Sequence, residues 1–213
     1  MLNRLKQIFH INPQKEGLSV YEKIDNLFDS LNDEIIKIKM GEDVEQFRDI
    51  ICKITENVRN EIKEECGFIL PPVRISSDYE CQENELKIMI AGRLTAEIYV
   101  VPTEKGIEEE VYESFKTCVY ENIDYIFTGE LAERYLNRVQ RNNSWLIWNI
   151  TNVLSIVDIK TILVDILKNG KRINNINYIF EQIGENVLQN GDYRDCLKKY
   201  NPHSIAIRIV QTL

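Results

Sequence analysis

No apolar run in this chain approaches the roughly 20 residues that a membrane-spanning helix needs, so no helical span is expected within it. The opening segment Met1 to Ile11 is broken by Arg4, Lys6 and Gln7 and precedes no small-residue cleavage site, which excludes a secretory signal. There are only two histidines, His10 and His203, both in terminal segments that offer no scaffold for catalysis or metal binding; both read as solvated. P-loop, dinucleotide-fold, nucleophile-elbow and zinc-protease motifs are all missing. Five cysteines, Cys52, Cys66, Cys81, Cys118 and Cys196, form no C-x-x-C pair, and their number is odd. That argues against a disulfide framework or zinc site and fits a reducing, cytoplasmic compartment, most of them serving as small buried apolar side chains. Acids outnumber bases 34 to 26, for a net charge of −8, so a basic face for nucleic acid or anionic lipid is not expected.

What the chain does have is a hydrophobic fraction of 44%, enough for a packed globule without disulfide or metal. Leu2, Leu5, Ile8 and Phe9 fall at helical spacing, which fits either a surface helix or a frayed leader, and Asn12-Pro13 favours the leader. Ser19 to Glu22 has the form of a capping box for a short helix to about Leu31. Glu34 to Met40 is isoleucine-rich and reads as a strand. Val44, Phe47, Ile51, Ile54, Val58 and Ile62 step by three or four, predicting one helix from Val44 to Cys66. Gly67 stands where a left-handed terminator belongs. Pro71-Pro72 forces extended chain into a strand at Val73-Arg74-Ile75. Leu86, Ile88 and Ile90 share one face of a strand, and Leu94, Ala96, Ile98 and Val100 repeat that alternation; the turn between them uses Gly92.

After Pro102 the pattern turns helical. Ile107, Val111, Phe115, Val119, Ile123 and Ile126 form one stripe; Leu131, Tyr135 and Val139 begin another. Ser144 is a candidate cap for a short helix holding Trp145 and Trp148, and Ser155 to Asp158 is a capping box for the next. Gly170 ends that helix, and Ile176, Ile179, Phe180, Ile183 and Val187 mark another. In the tail, Ile205, Ile207 and Ile209 alternate like a strand while Asn201-Pro202 starts a helix; helix is preferred.

Few residues invite chemistry. The acid clusters Glu61 to Glu65 and Glu108 to Glu110 flank apolar stripes and read as solvated faces rather than acid/base pairs. Arg134, Arg138 and Arg141 form a cationic stripe whose role is either ion pairing within the protein or contact with another molecule. Trp145 and Trp148, three apart, are expected in the core, with partner contact as the alternative. Arg74 is either a partner contact or the ion-pair partner of an acid such as Asp78.

The run Glu64-Glu65-Cys66-Gly67-Phe68-Ile69-Leu70-Pro71-Pro72-Val73-Arg74-Ile75 resembles the signature of the FHIPEP family, the cytoplasmic domains of flagellar and type III secretion export-gate proteins. The hairpin Leu86 to Val101 through Gly92 is similar to the family's strand pair, although the family's "Gly-Glu" end reads Ala96-Glu97 here. Trp145 to Asn149 followed by Val153-Leu154-Ser155, then Ile162 to Leu167 and Ile173 to Glu181, resemble its helical segments in the same order. The likeness runs from about residue 18 to 190. The family's transmembrane half has no counterpart. Only Pro102 to Glu108 stands where an inserted subdomain belongs, and the last α/β subdomain is missing. Chaperones dock beside that inserted subdomain in the family, so the resemblance does not carry chaperone binding over.

These readings predict an α+β fold: a small mixed sheet with packed helices, then an all-α subdomain. The expected division is a leader (1–17), an α/β subdomain (18–127), a helical subdomain (128–190) and a C-terminal tail, helical (191–213). The resemblance implies a non-catalytic component acting through protein contacts, by self-association or docking to secretion machinery, with no cofactor. A stand-alone regulatory adaptor and a small enzyme are the rivals. Arg74, Arg134, Arg138, Trp145 and Trp148 are the candidate contact residues; Gly67, Pro71, Pro72, Val73, Ile75 and Gly92 are architectural.

Overall fold

The computed structural model describes residues 34–189 and 200–213. The expectations for the leader, for His10, for the helix after Ser19 and for Cys196 fall outside these residues.

The isoleucine-rich segment forms β1 (Ile36–Met40), with Ile36, Ile38 and Met40 buried and the two lysines between them turned to the other face. The expected single helix from Val44 is two: α1 (Glu42–Glu45) and α2 (Arg48–Cys66). The break falls at Phe47, whose backbone (φ −103, ψ 13) leaves the helical region while its side chain still packs on the core. The rest of the stripe is as read: Ile51, Ile54, Val58 and Ile62 are buried. Gly67 ends α2 at φ 77, its N–H donating to the Lys63 carbonyl at 2.9 Å.

Beyond the two prolines comes β2 (Val73–Ser77), parallel to β1. β3 (Glu85–Ile90) and β4 (Arg93–Tyr99) complete a four-stranded mixed sheet in the order β2-β1-β3-β4, with β3 antiparallel to both neighbours. The hairpin turn is two residues, Ala91 at φ 50 and Gly92 at φ 75, the pair of positive angles that matches strand twist. One expectation fails inside β4. A bulge opposite Ile88 and Met89 inserts Thr95, so Leu94 pairs with Met89 and stands half exposed instead of sharing a face with Ala96 and Ile98. Thr95 holds the bulge by donating its hydroxyl to the Ile88 carbonyl at 2.9 Å. The opposite edge is guarded differently: Arg48 donates to the Ile75 carbonyl of β2 at 2.8 Å while gripping Glu45.

One face of the sheet is covered by α2 and by α3 (Glu104–Glu121), which lie against each other. The predicted stripe after Pro102 bends at Asn122: Ile107, Val111, Phe115 and Val119 are buried on α3, and Ile123 and Ile126 on the separate turn α4 (Ile123–Ile126). The opposite face carries Lys39, which pairs with Asp78 at 2.5 Å, and Lys87, which pairs with Glu85 at 3.3 Å.

The remaining helices are α5 (Gly129–Gln140), α6 (Ser144–Thr151), α7 (Ile156–Lys168), α8 (Ile176–Gln189) and α9 (Pro202–Thr212). Asn143, not Ser144, caps α6, accepting from the Leu146 N–H at 3.1 Å. Ser155 and Asp158 form the expected capping box on α7. The tail is helical: Asn201 caps α9, Pro202 takes the first turn, and Ile205 and Ile209 are buried while Ile207 is exposed. α7 lies against both α5 and α9, and α8 against α6 and α9. Four strands and nine helices among the described residues make an α+β fold.

Candidate functional site

The Gly67-to-Arg74 signature is the joint between the sheet region and the helical region. The C-terminal end of α2 leaves carbonyls unpaired inside the helix, and groups from far along the chain satisfy them. Ile173 donates its N–H to the Cys66 carbonyl at 2.7 Å, and the Asn174 amide reaches the Glu64 carbonyl at 3.3 Å. The fit is tight: a Cβ on Gly67 would stand 2.6 Å from the Asn174 backbone nitrogen. Tyr135 of α5 closes the joint from the other side. Its hydroxyl donates to the Gly67 carbonyl at 2.7 Å and accepts from the Ile69 N–H at 2.9 Å. Phe68 is fully buried and stacks on Phe127 at 5.5 Å, which stacks in turn on Tyr135 at 5.7 Å. Burial, only partly offset by the Ile69 hydrogen bond, pushes the Tyr135 hydroxyl up to about 12.

Pro71 and Pro72 then deliver Val73 and Ile75 into β2, where they pair with Ile36 and Ile38. Arg74 turns outward and meets Glu34 at 2.7 Å, not Asp78. Asp78 belongs to Lys39, whose ammonium holds its carboxyl below the usual range. Arg134 pairs with Glu130 one turn earlier on α5 at 2.7 Å, both largely exposed, and Arg138 stands exposed in the last turn. These arginines are distributed over two surfaces and form no shared cluster with Arg74 by any contact among the described residues.

The tryptophans correct the core expectation. Leu146, Ile147 and Ile150 fill the inner face of α6, and Trp145 and Trp148 stand 65% and 61% exposed. The inner positions are taken because Gly184 of α8 lets Leu146 close in: a Cβ there would lie 2.5 Å from a Leu146 methyl. Two large aromatic rings on one face of a short helix are costly to leave in water and common at contact surfaces.

The acid cluster on α2 is also not simply solvated. Glu61 accepts from the Tyr112 hydroxyl and the Lys116 ammonium of α3, and Glu65 from the Tyr120 hydroxyl at 2.7 Å and from Lys116 at 3.3 Å. The Lys116 hydrogen bond first, and Tyr112 second, hold the Glu61 carboxyl below its ordinary value. These bonds bridge separations of 51 to 55 residues, so no local pattern announces them. Glu108 and Glu109 are exposed, as read.

Of the four described cysteines only Cys118 is buried; Cys66 and Cys81 are half-buried and Cys52 is exposed, so burial is the exception among them. His203 is exposed and ties α9 to α7 through Asp165 at 2.5 Å. Among the described residues no group of three or more His, Cys, Asp or Glu side chains could hold a metal ion. No helix there is long and apolar enough to cross a membrane.

No family model matches the sequence, and no curated protein matches it. Solved structures do. The Chlamydia pneumoniae CdsV protein superposes with a TM-score of 0.64 at 7% identity, over 81% of this chain and 64% of that one. The Shigella flexneri MxiA protein gives 0.60 at 14% identity, over 82% and 62%. The nonameric EscV cytosolic domain from the type III secretion system gives 0.64 at 11% identity, over 85% and 65%. This chain therefore spans about two thirds or less of the length of these structures, and what it shares with them is the fold of type III secretion export-gate cytoplasmic domains.

Proposed function

We propose that this chain is a non-catalytic, cytoplasmic protein-interaction component of the FHIPEP kind, working through its exterior by self-association or by docking to secretion machinery. The observation that carries it is the fold likeness over 81–85% of the chain to domains of which two are nonamers. The joint at Gly67 supports it. The signature residues from Gly67 to Ile69 are spent on fixing one structural region against another. The proposed division keeps 18–127 as the α/β part, 128–190 as the helical part and 191–213 as the tail.

Within that reading Trp145 and Trp148 are the main contact residues. Arg74, Arg134 and Arg138 contribute charge at the margins, since exposed ion pairs such as Arg134–Glu130 are weak enough to exchange for a partner's carboxylate. Replacing a central interface tryptophan by alanine costs about 2 kcal/mol or more, roughly 30-fold in affinity. Sedimentation of the wild type and of W145A/W148A tests this. The wild type should associate with itself, or with a protein cross-linked to it in cells, and the double variant should lose that association while keeping its melting temperature. A wild type that stays monomeric at its highest soluble concentration and cross-links to no protein refutes the reading.

A further inference from the structure

A surface pocket of about 350 Å³ lies where the C-terminal end of α2, the end of α3, α4 and the turn after α7 meet. Its lining divides by chemistry. Ile123, Leu167 and Cys66 supply apolar wall, and Lys171 and Arg172 supply positive charge. Glu65 also lines it, but its carboxylate is already engaged by the Tyr120 hydroxyl and Lys116. Lys171 and Arg172 form no ion pair among the described residues.

The two cations are held in place by backbone. Gly170 adopts φ 68, allowing the chain to reverse after α7. The Lys171 N–H then donates to the Ile166 carbonyl at 3.1 Å, and the Ile173 N–H to the Cys66 carbonyl at 2.7 Å. The backbone that carries the pair is thus anchored on both sides, which fixes where the two side chains start. The same bonds decide what kind of anion. A phosphate site uses a nest of free backbone N–H groups. Here the amides of Gly170, Lys171 and Ile173 are all consumed within the protein. What the pocket offers an anion is chiefly two cationic side chains over a floor of Ile123 and Leu167 that is itself largely buried, which suits a single carboxylate side chain reaching in.

We infer that this pocket receives an acidic segment of a protein partner, an Asp or Glu side chain reaching in against Lys171 and Arg172. This rests on the protein-interaction reading and specifies the chemistry of one contact in it. The probe is a fluorescein-labelled peptide of sequence Gly-Asp-Leu-Asp-Ile-Gly, compared with the same peptide carrying Asn for Asp, and with inorganic phosphate as competitor. The wild type should bind the acidic peptide at least tenfold tighter than the amide version, with methyl-NMR shifts at Ile123 and Leu167. K171Q/R172Q, whose side chains make no internal ion pair among the described residues, should lose about tenfold in affinity at an unchanged melting temperature. Phosphate should compete weakly.

Equal binding of the two peptides, no shift at Ile123 and Leu167, full affinity in K171Q/R172Q, or displacement by phosphate at lower concentration than the peptide each overturn the assignment. Failure here is separable from failure of the wider reading. A wild type that still associates through Trp145 and Trp148 while the peptide does not bind removes the pocket and leaves the interaction role standing.

Discussion

Replacing Tyr135 by phenylalanine removes a single oxygen and tests the joint directly. The ring stacks on Phe127 and is 7% exposed, so phenylalanine keeps the apolar contact and leaves no cavity of consequence. What is lost is the bond to the Gly67 carbonyl at 2.7 Å and the bond from the Ile69 N–H at 2.9 Å. Neither backbone group has another partner in the joint, and a buried polar group left unsatisfied costs about 1–3 kcal/mol. For a protein of this size each kcal/mol moves the melting temperature by about 2–4 °C, so Y135F should melt roughly 3–10 °C lower. Tyr79, fully exposed, is the control: Y79F should not move. The tyrosine adds an alkaline signature. Its folded-state value of about 12 lies above the ordinary value of 10.0, so its contribution is complete below about pH 10 and fades as pH rises toward 12. Thermal melts by circular dichroism between neutral and alkaline pH should show that extra loss in the wild type and not in Y135F. A Y135F melt within error of the wild type, with the same alkaline slope, would show that Tyr135 does not hold the two regions together.

Further tests follow from the same geometry. Gly67→Ala meets both a positive φ of 77 and the Asn174 backbone at 2.6 Å, whereas Gly92→Ala at φ 75 meets open space. Urea titration should put Gly92→Ala about 1–2 kcal/mol below the wild type and Gly67→Ala lower still; equal losses would mean the Asn174 approach is not tight. Glu85 is 3% exposed, and its carboxyl is held below the ordinary value mainly by the Gln82 N–H at 2.8 Å, with Lys87 assisting. A depressed folded-state value gives stability that is present above the ordinary carboxylate range and is lost as pH falls through the folded value. E85Q should therefore be less stable at neutral pH by about 1–3 kcal/mol and lose less on acidification; parallel acid profiles of the two proteins would count against it.

How far the sequence reached differs by element. The terminator Gly67, the hairpin turn and the capping box at Ser155 were legible, because each depends on residues close in sequence, whereas the tail read as either strand or helix, with helix preferred, and Asn201 capping α9 decides it. The stripes on α2, α3 and α8 were legible for the same reason. The bulge at Thr95 was not: alternation continues through Leu94, and only pairing with β3 reveals the extra residue. The tryptophans were misread because an apolar run wraps the whole of α6, so periodicity cannot choose its inner face. Gly184 on the neighbouring α8 makes that choice by admitting Leu146.

The sequence by itself determined most of the segments that become helix and strand and that the chain builds an α+β core without a recognisable reaction motif, while the breaks at Phe47 and Asn122 were set by the structure. Tertiary structure alone decided that Tyr135 meets Gly67 and Ile69 across 68 and 66 residues, and that Asn174 meets Glu64 across 110. It also turned Trp145 and Trp148 outward and brought Lys171 and Arg172 beside Ile123. The reason is range. Helical and turn propensities are settled by bonds within one turn, whereas a surface or a joint exists only once distant faces have been matched by shape and by the pairing of buried polar groups.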